Sequence, residues 1–366
     1  MSTTASSRFV LCCALGGVLA MIALTAGREA KSADEPAPNS ESTEQALEIP
    51  APVYVTLMLA RDPAVQSELR LSREQIDAVA AAIAKVDHPL WVLRDVPVPK
   101  CAAQLDELHE TLKNELRGAL SAAQLKRLHE ILLQARGYRA LVSPEVSQRL
   151  RLTAQTIGRL QPILAANKPA EGKTTVDKTT AQQITAILSA EQRAELSAMV
   201  GEPFDLSRVL RVGCVAPEFA GITSWINGDA LTLKQLRGRV VVVHFWAFGC
   251  INCVRNLPHY QGWFESFPQS QLSIVGIHTP ETERERSVDN LRANLVERQI
   301  KYPVAFDQNS ASWKAWGNNM WPSVYLIDKQ GRVRSWWYGE LNWQGARGEE
   351  NMRKKIQELL AEAGTP

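Results

Sequence analysis

Two thiols three residues apart, Cys250 and Cys253, sit in the stretch HFWAFGCINCVRNLPHY, between an apolar strand-like run and a helix-like one. Three chemistries use such a pair: thiol–disulfide exchange, half of a zinc site, and simple burial of two small apolar side chains. Exchange needs an attacking sulfur at a helix N-terminus, where unpaired N–H groups and the helix dipole favour thiolate and lower its pKa from about 8.5. It also needs a second sulfur one turn on, so that a disulfide can close with Cα atoms about 5–6 Å apart. Cys250 and Cys253 satisfy both if the helix opens at Cys250, and Gly249 eases a tight strand-to-helix turn. Zinc would need two more ligands. His244, His259 and His278 are available by composition, but none forms a second paired motif, and no metal and no other cofactor are expected. A peroxidase would need one peroxidatic cysteine in a Pro/Thr/Arg setting, which GCINC lacks. No motif supports hydrolysis.

The flanking elements must position the pair. GRVVVVHFWAF reads as a buried strand and Cys250 to Phe267 as a helix kinked at Pro258. LSIVGIHTP is a second strand and ETERERSVDNLRANLVERQ an amphipathic helix. YPVAFD is a short strand, SASWKAWGN a helix, and PSVYLID and RVRSWWYGE form a hairpin across the turn KQG. EENMRKKIQELLAEAG closes as a helix. Strands alternating with helices and ending in a hairpin imply an α/β fold, a mixed sheet covered by helices on both faces. Pro322 cannot donate to a sheet ladder, so it belongs at its strand's start. A cis bond between Trp321 and Pro322 would present the Trp321 backbone to a bound chain beside Cys250.

The constellation W-x-x-x-C-x-x-C-x-x-x-x-P, with an X-Pro-strand about seventy residues on, resembles the thioredoxin fold from about Ala216 to the C-terminus. FWAFGCINC, IHTPETERE, YPVAFDQNSASWKAWGNNMWPSVYLID and GRVRSWWYGE resemble the thioredoxin-like domain fused to DipZ-type membrane proteins. The resemblance implies Cys250 as nucleophile, Cys253 as resolving thiol, Pro322 as the cis-proline of a substrate groove, and Trp246 and Trp321 as its aromatic flanks. Two departures matter. Thioredoxins proper have a buried Asp where this chain has His244, which is a candidate proton relay or a structural filler in an apolar strand. The related SCINC is GCINC here, one hydroxyl fewer beside the nucleophile. The implied activity is disulfide exchange with partner proteins, either as a reductase reset by a membrane electron donor or a small thiol, or in reverse as a disulfide-forming oxidase; the motif's position does not fix the direction.

The 366-residue chain has room for more than this domain. Residues 9–27 are uncharged and mostly apolar behind Arg8, which suits a cleaved signal peptide or a retained membrane anchor; both export the remainder to an extracytoplasmic space such as the periplasm. Residues 28–50 are a Glu/Ser/Pro/Ala-rich tether. Residues 51–206 show helical periodicity, with a polar loop near 167–180, and residues 207–366 are the α/β part. LSREQ, LSAAQ and LSAEQ place Ser three before Gln (Ser72/Gln75, Ser121/Gln124, Ser189/Gln192), the capping-box spacing, with a degenerate copy LTAQT at Leu152. A helical spacer or interaction domain is the plain reading of this region; the repeats also resemble Spy-like helical hairpins, so the rival reading is a client-binding protein with an appended redox domain. Cys101 and Cys214 suit either one disulfide or two buried thiols. The net charge of +2 argues against nucleic-acid binding.

Overall fold

A computed structural model describes residues 9–10, 52–166, 178–210 and 213–362. Of the apolar 9–27 run, only the backbone of β1 (Phe9–Val10) is included; the anchor, the tether and most of the 167–180 loop lie outside the described residues. Among the described residues no helix is long and apolar enough to cross a membrane.

Among the described residues nine α-helices precede the α/β part: α1 (Pro52–Arg61), α2 (Pro63–Glu68), α3 (Arg73–Leu93), α4 (Val98–Ala119), α5 (Ala122–Arg136), α6 (Pro144–Arg149), α7 (Ala154–Ala166), α8 (Lys178–Ile187) and α9 (Ala190–Val200). The expected loop ends early, because Lys178–Thr180 already form the first turn of α8 and Thr180 is buried. All three capping boxes form. Ser72, Ser121 and Ser189 accept from the amides of Gln75, Gln124 and Gln192, and each Gln side chain accepts from its serine's amide. Thr153 caps α7 through the amide of Thr156. The glutamines also join helices. Gln75 and Gln124 exchange amide hydrogen bonds at 2.8 and 3.0 Å, and their NH2 groups donate to the carbonyls of Ala119 and Leu69. Gln192 donates likewise to Leu150.

The motif belongs to a longer tandem repeat. Asp62-Pro63 and Ser143-Pro144 open α2 and α6. Val65 and Val146 follow, both fully buried, then buried Leu69 and Leu150. Next come Arg70 and Arg151, left-handed at φ 51° and 52°, and the caps Ser72 and Thr153. Each copy buries its own apolar cluster, one around Leu59, Leu112 and Ile131, the other around Leu141, Leu160 and Ile184.

The α/β part follows: β2 (Ser224–Ile226), β3 (Val240–Trp246), α10 (Ile251–Ser266), β4 (Leu272–His278), α11 (Val288–Glu297), β5 (Val304–Phe306), α12 (Ala311–Ala315), β6 (Ser323–Ile327), β7 (Val333–Tyr338) and α13 (Gly348–Ala361). The sheet order is β1-β7-β6-β3-β4-β5-β2, with β3, β4 and β5 parallel and the other pairings antiparallel. Every residue of β3 is buried, as a central strand covered on both faces requires. Val240, Val242 and Trp246 face the cluster of α10, α11 and α13, around Tyr260, Trp263, Leu291 and Ile356. Val241, Val243 and Phe245 face the other, around Leu233, Trp316 and Tyr325. Trp91, from α3, is buried in that second cluster. Cys101 lies in the first helical core and Cys214 in the sheet-face core, and no disulfide joins them.

α10 runs on through Pro258. The helix expected over ETERERSVDNLRANLVERQ splits at Ser287 into a short 3-10 turn, Glu283–Arg286, and α11. The split turns Glu285 back toward the cysteines.

Candidate active site

β3 ends at Trp246, and the turn Ala247-Phe248-Gly249 delivers Cys250 to the mouth of α10. Cys250 is the N-cap, in extended backbone at φ −77° and ψ 111°, and its Sγ accepts from the Cys253 amide at 3.4 Å. A sulfur in this position replaces the usual oxygen cap of the orphan first-turn amides. Cys250 is half-buried, while Cys253 is 0% exposed, and the pair is present as two thiols. Hydrogen bonding from the Cys253 side chain holds the Cys250 thiol below its ordinary pKa, outweighing the opposing effect of burial; the Cys253 amide adds to it. Burial drives the Cys253 thiol well above its ordinary value, helped by the bond it gives to Cys250. One sulfur is therefore the better thiolate and the other keeps its proton.

Two side chains hold the turn. The Phe248 amide donates to His278 Nε2 at 3.4 Å, and the Gly249 amide donates to Glu285 Oε1 at 2.6 Å. Glu285 is 1% exposed; its second oxygen accepts from the amides of Glu281 and Thr282 and the Thr282 hydroxyl. Burial alone would raise its pKa, but these donors together bring it below the ordinary value, so it stays charged. A Cβ at Gly249 would stand 3.0 Å from Glu285 Oε1, which gives the glycine of GCINC a physical reason. His278 stacks on Phe248 at 5.2 Å, and burial lowers its pKa to about 4. Sequence reasoning missed Glu285. Its only signal is the Thr282/Glu285 capping-box spacing just before Ser287.

At the start of β6, whose Ser323 pairs with Phe245 near the end of β3, the Trp321–Pro322 bond is cis and Pro322 directly precedes the strand. Trp321 stacks on Trp313 at 3.9 Å. A short relay of hydrogen bonds ties this strand end to α10. The Gly339 amide donates to Pro322 O at 2.8 Å, and Asn256 Nδ2 donates to Gly339 O at 3.1 Å. Fully buried Asn256 also accepts from Leu341 N at 2.9 Å. Sequence reasoning missed Asn256 as well, since an asparagine inside a helix carries no local signature.

Trp246 corrects an expectation. Its ring is fully buried, edge-on to His278 at 5.4 Å, because alternate side chains of β3 point under α10. It supports the turn from below and does not line a groove. His244 lies on the same face, stacked on Tyr260 at 4.2 Å and edge-on to Tyr302 at 5.4 Å. Neither ring nitrogen has a hydrogen-bond partner among the described residues, and burial lowers its pKa to about 3. A Cβ on Gly276 would come within 2.9 Å of His244 Nε2, so glycine in β4 makes room for the imidazole. His259, the third zinc candidate, lies within electrostatic reach of Glu349 and Arg353. Among the described residues no group of three or more His, Cys, Asp or Glu is gathered that could hold a metal ion.

A sheet with parallel β3-β4-β5, a C-x-x-C pair at the mouth of the helix after β3, and a cis-proline opening β6 define a thioredoxin-like domain, preceded by an all-α region. Residues 212–336 match the AhpC/TSA family. The chain is 43% identical over 152 residues to Protein DipZ of Mycobacterium tuberculosis (strain CDC 1551 / Oshkosh), a match covering 40% of this chain and 21% of that protein. It is 29% identical over 147 residues to the thiol-disulfide oxidoreductase YkuV of Bacillus subtilis (strain 168), covering 40% of this chain and 94% of that protein. Among solved structures, it is similar to the thioredoxin-like superfamily protein SPOA0173, at 31% identity and a TM-score of 0.37, over 41% of this chain and 98% of that one. The chain thus matches only about a fifth of the length of the DipZ protein.

Proposed function

We propose that this protein is a thiol–disulfide oxidoreductase whose Cys250 attacks partner disulfides and whose Cys253 resolves the product. The asymmetry of the pair carries the reading: Cys250 is half-exposed at a helix cap with a lowered pKa, and Cys253 is sealed beneath it with a raised one. The Cys250 thiolate attacks one partner sulfur, forming a mixed disulfide and expelling the other as thiolate. Cys253 then gives up its proton and attacks Cys250 Sγ. The partner leaves with two electrons and two protons more, and Cys250–Cys253 remains as a disulfide. Trp321 and Pro322 edge the groove in which the partner chain would lie as an added strand. Resetting the pair falls to a membrane electron donor or a small thiol. Mobilising the Cys253 proton is a separate demand. A neutral His244 ring with a pKa of about 3 would cost about 5 kcal/mol to protonate at pH 7, which favours a packing role over a relay.

The same proposal divides the chain into a signal or anchor (1–27), a tether (28–50), a helical domain (51–206) and the thioredoxin-like domain (207–366), working outside the cytoplasm. The apolar run at residues 9–27 supports the location.

The test pairs two measurements on the full chain. The rate of Cys250 alkylation by iodoacetamide against pH should show a midpoint below the ordinary thiol range of about 8.5. Insulin-disulfide reduction should vanish in Cys250→Ser. An ordinary midpoint together with no exchange would sink the reading.

A further inference from the structure

The helical region reaches the redox site through one helix end. His88, Trp91 and Arg94 fall three residues apart on one face of α3 and its C-cap. Each donates to one of three consecutive carbonyls at the end of α12. His88 Nε2 meets Ala315 O at 2.9 Å, Trp91 Nε1 meets Trp316 O at 2.9 Å, and Arg94 Nη2 meets Gly317 O at 3.1 Å. The last carbonyls of a helix have no partner within it, and α12 has only five residues. Side chains from α3 thus complete a helix that cannot satisfy its own end, and a guanidinium suits the negative end of the dipole.

The remaining contacts are those of a built joint. Arg94 lies over the Trp91 ring at 3.9 Å and donates to the hydroxyls of Tyr338 and Tyr325 at 3.0 and 3.2 Å. Tyr338 in turn donates to Asp95 at 2.6 Å. Trp91 packs edge-on against Tyr325 and Trp336. Gly317 has φ +61°, and a Cβ there would stand 2.8 Å from Arg94 Nη1 and 3.4 Å from Val92 Cα, so this close approach requires glycine.

What the joint holds gives it significance. Residues 317–321 run directly from these carbonyls to Pro322, and Trp313 of α12 carries Trp321 on its ring face. We propose that His88, Trp91 and Arg94 are positioning residues: through α12 and residues 317–321 they set the Trp321–Pro322 edge against which a partner chain is read. The helical region is then a working part of the redox site rather than a spacer. This inference rests on the oxidoreductase reading for its effect on partners, but not for the brace itself.

The test uses the full chain with Trp91→Phe, Arg94→Lys and His88→Ala. Phe keeps an aromatic ring in the core and loses the N–H, Lys keeps the charge and loses the planar fork, and His88 is exposed, so its change does not threaten folding. Amide exchange in the peptide 317–323 should speed up by about tenfold for Trp91→Phe and Arg94→Lys, the factor expected for one lost hydrogen bond. His88→Ala should shift it in the same direction by less. KM for insulin disulfides should rise about three- to tenfold while the rate with a small aromatic disulfide stays within about twofold, because only the chain-binding edge has moved. Unchanged exchange in 317–323 would overturn the brace. So would equal losses toward both disulfides, which mark general damage. A wild-type protein inert toward both disulfides, with exchange in 317–323 still rising in the variants, would sink the reading of Cys250 and leave the brace standing.

Discussion

Two buried imidazoles make this protein's stability depend on pH in a predictable way. His244 and His278 are both 0% exposed, and burial lowers their pKa values from 6.5 to about 3 and about 4. As pH falls, the unfolded chain therefore takes up each proton before the folded one does. The stabilisation from keeping each ring neutral is complete above about pH 6.5. It is lost progressively below that, down to about pH 3 for His244 and about pH 4 for His278. Each ring loses about 1.4 kcal/mol per pH unit across the middle of its window, or about 3 kcal/mol between pH 7 and pH 4. Together they come to about 6 kcal/mol, already past the lower end of a domain's whole stability of about 5–15 kcal/mol. The perturbation is His244→Phe, which keeps a flat ring on Tyr260 and removes one titration. Urea unfolding at half-unit steps from pH 7 to 4, with reductant present, gives the free energy by linear extrapolation. Tryptophan fluorescence is the right signal: all ten tryptophans but Trp91 lie between 225 and 343, and Trp91 is buried against that sheet. Wild type should lose stability about 1.4 kcal/mol per pH unit more steeply than the variant between pH 6 and 4, whatever the variant's absolute stability. Parallel slopes would refute the argument, since they would mean that His244 is not held neutral by burial.

Cys253→Ser should accumulate a mixed disulfide between Cys250 and its partner, visible as a reductant-sensitive adduct on non-reducing gels; release at the wild-type rate would remove Cys253 from the resolving role. Glu285→Gln should lower stability by about 2 kcal/mol, because an amide NH2 would replace an oxygen facing the amides of Glu281, Thr282 or Gly249. A melting temperature unchanged by this substitution would mean that the Gly249 turn does not depend on the carboxylate.

Much was legible in the sequence because it is local. A Ser–Gln spacing caps a helix wherever it stands, and all three boxes formed. The apolar run at 240–246, a C-x-x-C at the next helix mouth and Pro322 at a strand start specify a thioredoxin-like sheet because each choice constrains the backbone at its own position. The tandem copies escaped notice, although both are written in the chain. Their shared signal is a few buried positions and a left-handed arginine, and only the backbone shows that Arg70 and Arg151 play the same part.

What only the tertiary structure decided is which side chains arrive from far away. Glu285 and His278 reach the turn from the end of β4 and the loop after it, Asn256 joins α10 to the end of β7, and Trp91 and Arg94 cross from the helical region to α12. The direction of a side chain also depends on which sheet face is covered. Trp246 reads as a groove residue by its distance from Cys250, yet strand alternation under α10 buries it. By itself, the sequence determined that Cys250 stands at a helix mouth with Cys253 one turn on. The fold decided that one sulfur is reachable and the other sealed, because exposure and pKa depend on everything packed around the pair, not on the two residues that separate them.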